Sequence, residues 1–310
     1  MSWSKIISYF GFLSLLVILI ITFYLINLKK PQLLSPIINQ SKLSVADNVW
    51  FPKVLGANSS GISNLTSEAA FFIDTQTGDV LYEKNSRQKL PIASLTKIMT
   101  VAVALESKSF EDKMYVSERA SQMEPDSMLL KAGETLTLDE LSQGIFLVSG
   151  NDAAEAVAEN TIPRREEFIG LMNSKAAQLG MRDSEFINPT GLEEDEGTRH
   201  NLSTAFDLAI LSRYAIRKWP HLLEISSSPH IYIPETETHQ DYELYTGINL
   251  VTTMPGVIGF KTGYTPVAGL TLVTVARRGD KEVLGVLLNA QNRRDDARAL
   301  LEYSFKKLGV

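Results

Sequence analysis

The chain has 310 residues, with 30 Lys and Arg against 36 Asp and Glu, a net charge of −6, and 44% hydrophobic residues. This hydrophobic share is typical of a globular protein with its own core, and the absence of a basic stretch argues against nucleic acid as a partner. Because the chain contains no cysteine, a disulfide framework, a thiol nucleophile and a thiolate metal site are excluded. The four histidines show no metal-ligand spacing, so we expect neither a metal nor a cofactor.

The N-terminal segment Ile6–Leu28 is almost wholly apolar and has lysines on both flanks. It is long enough to span a bilayer and longer than the core of a typical signal peptide. We therefore predict a transmembrane signal anchor within residues 1–30, with a cleaved signal peptide as the alternative. Residues 31–66 are rich in Ser, Asn and Pro and are predicted to form a flexible tether to a folded region at 67–310.

Strand patterns lie at both ends of the folded region. Ala69–Asp74 and Asp79–Lys84 are strand-like runs joined by the turn sequence Thr75–Gly78, which predicts a hairpin. Three more apolar or β-branched runs follow near the C-terminus: Val257–Thr262, Leu270–Ala276 and Val283–Asn289. With helical patterns between them, these runs predict one antiparallel sheet formed by distant parts of the chain.

Helical patterns fill residues 110–215, which we interpret as a helical subdomain inserted between the early and late strands. Thr137-Leu-Asp-Glu140 has the form of a capping box at the start of a helix over Leu141–Val148. Further helices are predicted over Asp152–Glu159, Glu166–Leu179, Thr204–Arg217 and Arg293–Leu308. The charged run Arg293–Asp296 is interpreted as the cap and solubilising turn of the last helix.

Three short segments carry residues suited to chemistry: Ser94-Leu-Thr-Lys97, Ser149-Gly-Asn151 and Lys261-Thr-Gly263. The Ser-x-x-Lys pattern recurs at three other places, but only Ser94 opens an apolar run long enough for a buried helix. The other two patterns each occur once in the chain. Their combination, in this order, predicts acyl transfer without histidine or metal.

Ser94 and Lys97 are three residues apart, so on a helix their side chains share one face. We predict that Ser94 is the nucleophile and Lys97 its base, with burial and the nearby cation Lys261 lowering the pKa of Lys97. The alternative is a buried serine beside a lysine that reaches the surface. Ser149 is expected to relay a proton to the leaving amine, and Asn151 to hold Lys97 and a substrate amide.

The third segment has the features of a substrate-binding strand. Lys261 and Thr262 are predicted to bind a terminal carboxylate, and Gly263 allows a substrate backbone to lie against the strand. The backbone N–H groups of Ser94 and Tyr264 are expected to form the oxyanion hole.

In these segments the sequence resembles the D-alanyl-D-alanine carboxypeptidases, the low-molecular-mass penicillin-binding proteins. The resemblance runs from about Ala69 to Phe305. It includes the longer runs Pro91–Thr100, Ser149–Ala154, Asn188–Leu192 and Gly259–Thr265. Many members of the family also carry a C-terminal β-rich domain, whereas this sequence ends after the matching region.

The resemblance implies an α+β (broadly α/β) fold of the β-lactamase/transpeptidase type, with a five-stranded antiparallel sheet, flanking helices and an inserted helical subdomain. It also implies that Ser94 forms the acyl-enzyme, Lys97 accepts its proton, Ser149 acts in the site and Lys261 binds substrate. The expected partners are peptidoglycan stem peptides ending in D-Ala-D-Ala, β-lactams as covalent inhibitors, and the membrane through residues 6–28.

We therefore expect a single-pass membrane enzyme with its catalytic domain on the extracytoplasmic side, although the flanking charges slightly favour the opposite orientation. A D,D-endopeptidase acting on cross-linked muropeptides and a non-enzymatic muropeptide sensor remain alternatives. A β-lactamase is disfavoured, since no Glu-x-x-Leu-Asn sequence follows Asn151 to activate a deacylating water.

Overall fold

The computed structural model describes residues 50–53, 62, 64–194 and 198–310. The predicted anchor, and most of the predicted tether, lie outside these ranges. No helix within them is both long enough and apolar enough to cross a bilayer. Described residues of the tether segment contact the domain: for example, the N–H of Lys53 donates to the Gly78 carbonyl at 2.7 Å, and the Trp50 ring lies against the Arg213 guanidinium.

A five-stranded antiparallel sheet forms the centre of the folded domain. The strands are β1 (Ala69–Asp74), β2 (Val80–Lys84), β9 (Val257–Thr265), β10 (Gly269–Arg278) and β11 (Lys281–Ala290), and their spatial order is β2-β1-β11-β10-β9. The first and last strands pair directly, with Phe71 opposite Val286. The predicted closure of the sheet by distant segments is confirmed.

Side-chain alternation along the strands gives the sheet two apolar faces. On β1, Phe71 and Ile73 belong to the larger core, whereas Ala70 and Phe72 belong to the smaller core on the opposite face. Successive side chains of a strand point to opposite sides, so a fully buried strand such as β1 needs a layer of helices on each face.

The larger core is covered by helices from the middle of the chain. They are α1 (Thr96–Ala104), α2 (Glu118–Ser121), α3 (Leu138–Leu147), α4 (Asn151–Thr161), α5 (Arg165–Gln178), α6 (Ala205–Lys218) and α7 (His221–Ser227). The predicted capping box is confirmed, since the Thr137 and Glu140 side chains each bind the other's backbone N–H. Helix α6, assigned by sequence to the inserted subdomain, packs on β1 and β11.

The smaller core lies beneath α8 (Asn249–Thr253) and the final helix α9 (Arg293–Lys307). Leu300, Leu301 and Phe305 of α9 are buried against this face of the sheet. The apolar stripe predicted for the last helix is therefore its contact with the sheet.

Three short strand pairs complete the fold and were not predicted. They are β3 (Leu90–Pro91) with β6 (Leu202–Ser203), β4 (Lys113–Tyr115) with β5 (Thr135–Thr137), and β7 (His230–Ile233) with β8 (Tyr242–Tyr245). With two to four residues each, they are too short to show an alternating pattern. The β3–β6 pair fixes the chain just before the Ser94 turn.

Candidate active site

The Ser94 segment begins as a 3₁₀ turn, Ala93–Leu95, that continues directly into α1. Ala93 has a φ of 48°, a left-handed conformation that is rare for a residue with a Cβ and concentrates at functional sites. The Thr96 hydroxyl donates to the Ala93 carbonyl at 2.8 Å and helps to hold this turn. Ser94 retains 7% of its accessible surface, whereas every residue of α1 is buried.

Lys97 lies one turn along the same helix and is completely buried. Its Nζ is 2.8 Å from Ser94 Oγ, 2.7 Å from Asn151 Oδ1 and 2.9 Å from the Thr190 carbonyl oxygen. The alternative of a lysine that reaches the surface is therefore wrong. An uncharged amine has two hydrogens and one lone pair; with the amide and carbonyl oxygens taking the hydrogens, the lone pair is left for the Ser94 hydroxyl.

Burial lowers the pKa of Lys97 to about 7, although the carboxylates of Asp126 and Asp152 act in the opposite direction. Taking an ammonium out of water disfavours its charged form, which accounts for this direction. Lys261 was predicted to lower the pKa of Lys97. Repulsion between the two positive charges instead lowers the pKa of Lys261.

Ser149 and Asn151 follow the end of α3 and bring the second segment to the first. Ser149 has a φ of 65°, which turns the chain sharply before α4. The Asn151 N–H donates to the Asp126 carbonyl at 2.7 Å, and its side-chain amide donates to the Pro125 carbonyl. These two bonds leave Asn151 Oδ1 directed at Lys97.

Lys261, on β9, joins the third segment to the second. Its Nζ is completely buried and donates to Ser149 Oγ at 3.0 Å and to the Thr262 carbonyl at 2.8 Å. Burial is the main cause that holds the pKa of Lys261 well below its usual value, and the positive charges of Lys97 and Arg293 add to it.

Strand β9 contains Gly263, as predicted for the third segment, and continues through Tyr264 to Thr265. A Cβ placed on Gly263 would lie 2.9 Å from the Ser94 backbone nitrogen and 2.6 Å from Thr271 Oγ1, so the strand passes directly beside the nucleophile. Gly191, with a φ of 88°, also approaches this turn, since an added Cβ would overlap the Ala93 carbonyl oxygen. The Ser94 turn is thus packed closely against two glycines, which permit this approach.

Arg293 also supports the site, so its predicted role in a solubilising cap is wrong. Its guanidinium donates to the Gly263 carbonyl at 2.7 Å and to the Thr271 carbonyl at 3.2 Å. With Thr262 it lines a cavity of about 50 Å³ beside β9. The cap is made by Asn292 instead, whose side chain accepts from the Asp295 N–H.

Asp152 also supports the site, and this role was not predicted from the sequence. This completely buried carboxylate accepts from Ser127 Oγ at 2.7 Å and from the N–H groups of Met128 and Leu130 at 2.9 and 3.0 Å. It therefore holds the loop that carries Asp126 against the start of α4. Only its position next to Asn151 distinguished it in the sequence.

The structure thus brings together Ser94, Lys97, Ser149, Asn151 and Lys261. Thr262 and Gly263 lie on the adjoining strand, and Tyr264 lies at its outer end with 59% of its surface exposed. A hydroxyl beside a buried amine of lowered pKa, with a second buried lysine close by, is an arrangement suited to nucleophilic catalysis at a carbonyl carbon.

Comparison with known proteins decides the family. The sequence signature of the peptidase S11 D-alanyl-D-alanine carboxypeptidases matches residues 56–292, which include all three segments. The chain belongs to the D-alanyl-D-alanine carboxypeptidase family. The resemblance noted from the sequence is confirmed.

Two similar proteins carry different names, one a carboxypeptidase and the other an endopeptidase. The chain is 34% identical to the D-alanyl-D-alanine carboxypeptidase DacF of Bacillus subtilis, over 83% of this chain and 66% of DacF. It is also 34% identical to a D-alanyl-D-alanine endopeptidase of Pseudomonas aeruginosa, over 67% of this chain and 66% of that protein. The chain therefore spans just under two thirds of the length of either relative.

Among solved structures, penicillin-binding protein D2 of Listeria monocytogenes in its ampicillin-bound form superimposes with a TM-score of 0.66 at 30% identity. The match covers 79% of this chain and 99% of that structure. The described part of the chain accordingly has the α+β fold of the penicillin-binding and transpeptidase proteins.

Proposed function

We propose that this protein is a membrane-anchored serine D-Ala-D-Ala carboxypeptidase that removes the terminal D-alanine from peptidoglycan stem pentapeptides. The observation that carries the proposal is the 2.8 Å separation between Ser94 Oγ and the buried Lys97 Nζ. With a pKa of about 7, Lys97 is uncharged in a large share of molecules at neutral pH and is available as a base.

In the acylation step, Ser94 Oγ attacks the carbonyl carbon of the penultimate D-alanine while its proton passes to Lys97 Nζ. The N–H groups of Ser94 and Tyr264 stabilise the oxyanion, and one such donor typically contributes about 3 kcal/mol. The substrate carboxylate binds at Lys261 and Thr262, beside the cavity that Arg293 lines.

When the tetrahedral intermediate collapses, the bond to the terminal D-alanine breaks and its amine requires a proton. Ser149 Oγ lies within hydrogen-bond distance of Lys261 Nζ and relays to the amine the proton that Lys97 took from Ser94, which leaves Lys97 uncharged again. The remaining ester on Ser94 is attacked by water, whose proton passes to Lys97. The products are free D-alanine and the shortened peptide, and Ser94 regains its hydroxyl proton.

The same attack on a β-lactam opens the ring but leaves the amine attached to the acyl group. Because this leaving group cannot diffuse away, it continues to obstruct the approach of water, and we expect long-lived adducts. The similarity to an ampicillin-bound penicillin-binding protein supports this expectation. A short-lived adduct, seen by mass spectrometry as rapid release of hydrolysed penicillin, would favour a β-lactamase.

The location also belongs to the proposal. A substrate in the cell wall requires the catalytic domain outside the cytoplasm, so residues 6–28 serve as a single-pass anchor and residues 31–66 as the tether. Protease treatment of intact protoplasts tests this orientation. Digestion of the domain from the outside supports it, and protection until the cells are lysed contradicts it.

The deciding experiment measures free D-alanine after incubation with a muropeptide that carries a pentapeptide stem. We expect release by the wild type and none by Ser94→Ala. Ser86→Ala is the matched control, since Ser86 begins another Ser-x-x-Lys sequence outside the site and its hydroxyl binds Glu83. Loss of activity in both variants would show that the effect is structural.

A D,D-endopeptidase is the second candidate, favoured by the similarity to the Pseudomonas aeruginosa enzyme. Cleavage of cross-linked dimers faster than pentapeptides would establish it. A muropeptide sensor predicts binding without D-alanine release and without covalent labelling by fluorescent penicillin. Intact Ser94 and Lys97 argue against the sensor, because binding alone needs no nucleophile.

A further inference from the structure

Two segments contact the Ser94 turn: the loop that follows Thr190, and β9. A side chain connects them at one end of the site. Two residues after Gly191, the Glu193 side chain crosses to the turn between β9 and β10, where its Oε1 accepts the Val267 N–H at 2.9 Å. Glu193 therefore lies beyond Tyr264, at the end of the substrate groove that the proposed function implies along β9.

The Glu193 carboxylate differs in its surroundings from its neighbour. Glu194 is paired with Arg165, at 2.9 Å, and with Arg199. Within the described ranges, no lysine or arginine forms an ion pair with Glu193. Its negative charge is therefore available to a ligand that enters this end of the groove.

The direction of the bound peptide follows from the proposed function, on which this inference rests. The terminal carboxylate lies at Lys261 and Thr262, and the scissile carbonyl faces the N–H of Tyr264. An extended peptide advances about 3.3 Å per residue. The residue before D-Ala-D-Ala must therefore continue past Tyr264 toward the turn that contains Val267.

The surface at that point suits a long side chain with a cationic end. Val267 is 43% exposed and offers apolar surface to methylene groups, and Tyr264, 59% exposed, offers an aromatic ring. A carboxylate attracts an ammonium group, and the face of a tyrosine ring attracts it as well. We propose that Glu193 selects stem peptides whose third residue carries a free amino group on its side chain.

The test compares two peptides that differ in one charge: Nα-acetyl-Lys-D-Ala-D-Ala and its Nε-acetylated form. We expect kcat/KM of the wild type to be about two- to fivefold higher for the free amine, the size of an exposed ion pair. Glu193→Gln should abolish this preference while its amide oxygen can still accept the Val267 N–H. The ratio of its rates on the two peptides should fall to about one, and added salt should weaken the wild-type preference.

Glu166→Gln is the matched control, because it removes the same charge from an exposed position at the start of α5. It should retain the preference. Equal rates on both peptides, or a preference that survives in Glu193→Gln, would overturn this inference and leave the proposed function standing. Failure to release D-alanine from either peptide would overturn the proposed function and the inference with it.

Discussion

The pH dependence of acylation offers the sharpest test of the role given to Lys97. On the proposed mechanism, only molecules with an uncharged Lys97 can accept the Ser94 proton. The folded protein holds the pKa of this lysine at about 7, compared with 10.5 for an exposed one. The acylation rate should therefore rise around pH 7, rather than around pH 10.5.

The expected size follows from the uncharged fraction of Lys97. With a pKa of about 7, that fraction is about one tenth at pH 6, about half at pH 7 and about nine tenths at pH 8. The acylation rate constant should therefore rise about tenfold between pH 6 and pH 8. At higher pH it should fall again, because Lys261 loses the charge that binds the carboxylate and its own pKa is lowered by burial.

The assay is the second-order rate of labelling by a fluorescent penicillin between pH 5 and pH 9, with Ser94→Ala as the background. Circular dichroism at each pH checks that the protein remains folded. Asn151→Ala provides a second signature. It removes an acceptor 2.7 Å from Nζ that stabilises the ammonium form, so the rising limb should move to lower pH. A labelling rate independent of pH between 5 and 8 would refute Lys97 as the base.

Three further predictions concern the support of the site. Gly191→Ala should lower the melting temperature and the labelling rate, because the added methyl overlaps a backbone carbonyl; Gly133→Ala, also at positive φ but with open space around it, should affect labelling little. Arg293→Ala should reduce kcat/KM for D-alanine release about tenfold or more, because it removes two charged hydrogen bonds to the site, whereas the exposed Arg294→Ala should not. Asp152→Asn should lower the free energy of unfolding by about 2–4 kcal/mol, measured by denaturant titration, because one carboxylate satisfies several buried donors.

Much of the fold could be predicted because its main elements are long and periodic. The predicted strand Val283–Asn289 lies within β11, and the predicted helix Glu166–Leu179 nearly coincides with α5. Gly263 was predicted to lie on this strand, but the continuation of β9 to Tyr264 and Thr265 was missed, because glycine weakens a strand in isolation. Here pairing with β10, which places Gly263 opposite Thr271, continues the strand past the glycine.

The site residues likewise separate into those that a local sequence pattern predicts and those that only packing brings into place. Ser94, Lys97 and Lys261 could be found because they belong to short patterns with a chemical reason for their spacing. Arg293 could not, because it acts through contacts with the carbonyls of Gly263 and Thr271, which are distant in sequence. Its value to the site depends on how α9 packs against the sheet, and that packing is not encoded in any local pattern.

The two buried lysines suggest why a substrate with a free carboxyl end suits this site. Without substrate, burial and mutual repulsion disfavour a charge on Lys261. A carboxylate bound beside Lys261 reverses this balance and favours the ammonium form, while the renewed positive charge makes protonation of Lys97 less favourable. Substrate binding would thus prepare one lysine to hold the peptide and the other to act as a base.

This coupling predicts a net uptake of protons on binding. Calorimetric titration of Ser94→Ala with a peptide ending in D-Ala-D-Ala, in buffers of different ionisation enthalpy, should detect uptake at a pH above about 7, where Lys97 has already lost its proton. The same peptide with an amidated C-terminus is the control and should bind without it. Equal proton exchange for the two peptides would show that the carboxylate does not control the charge on Lys261. The preference for a free carboxyl end would then have to arise from hydrogen bonding alone.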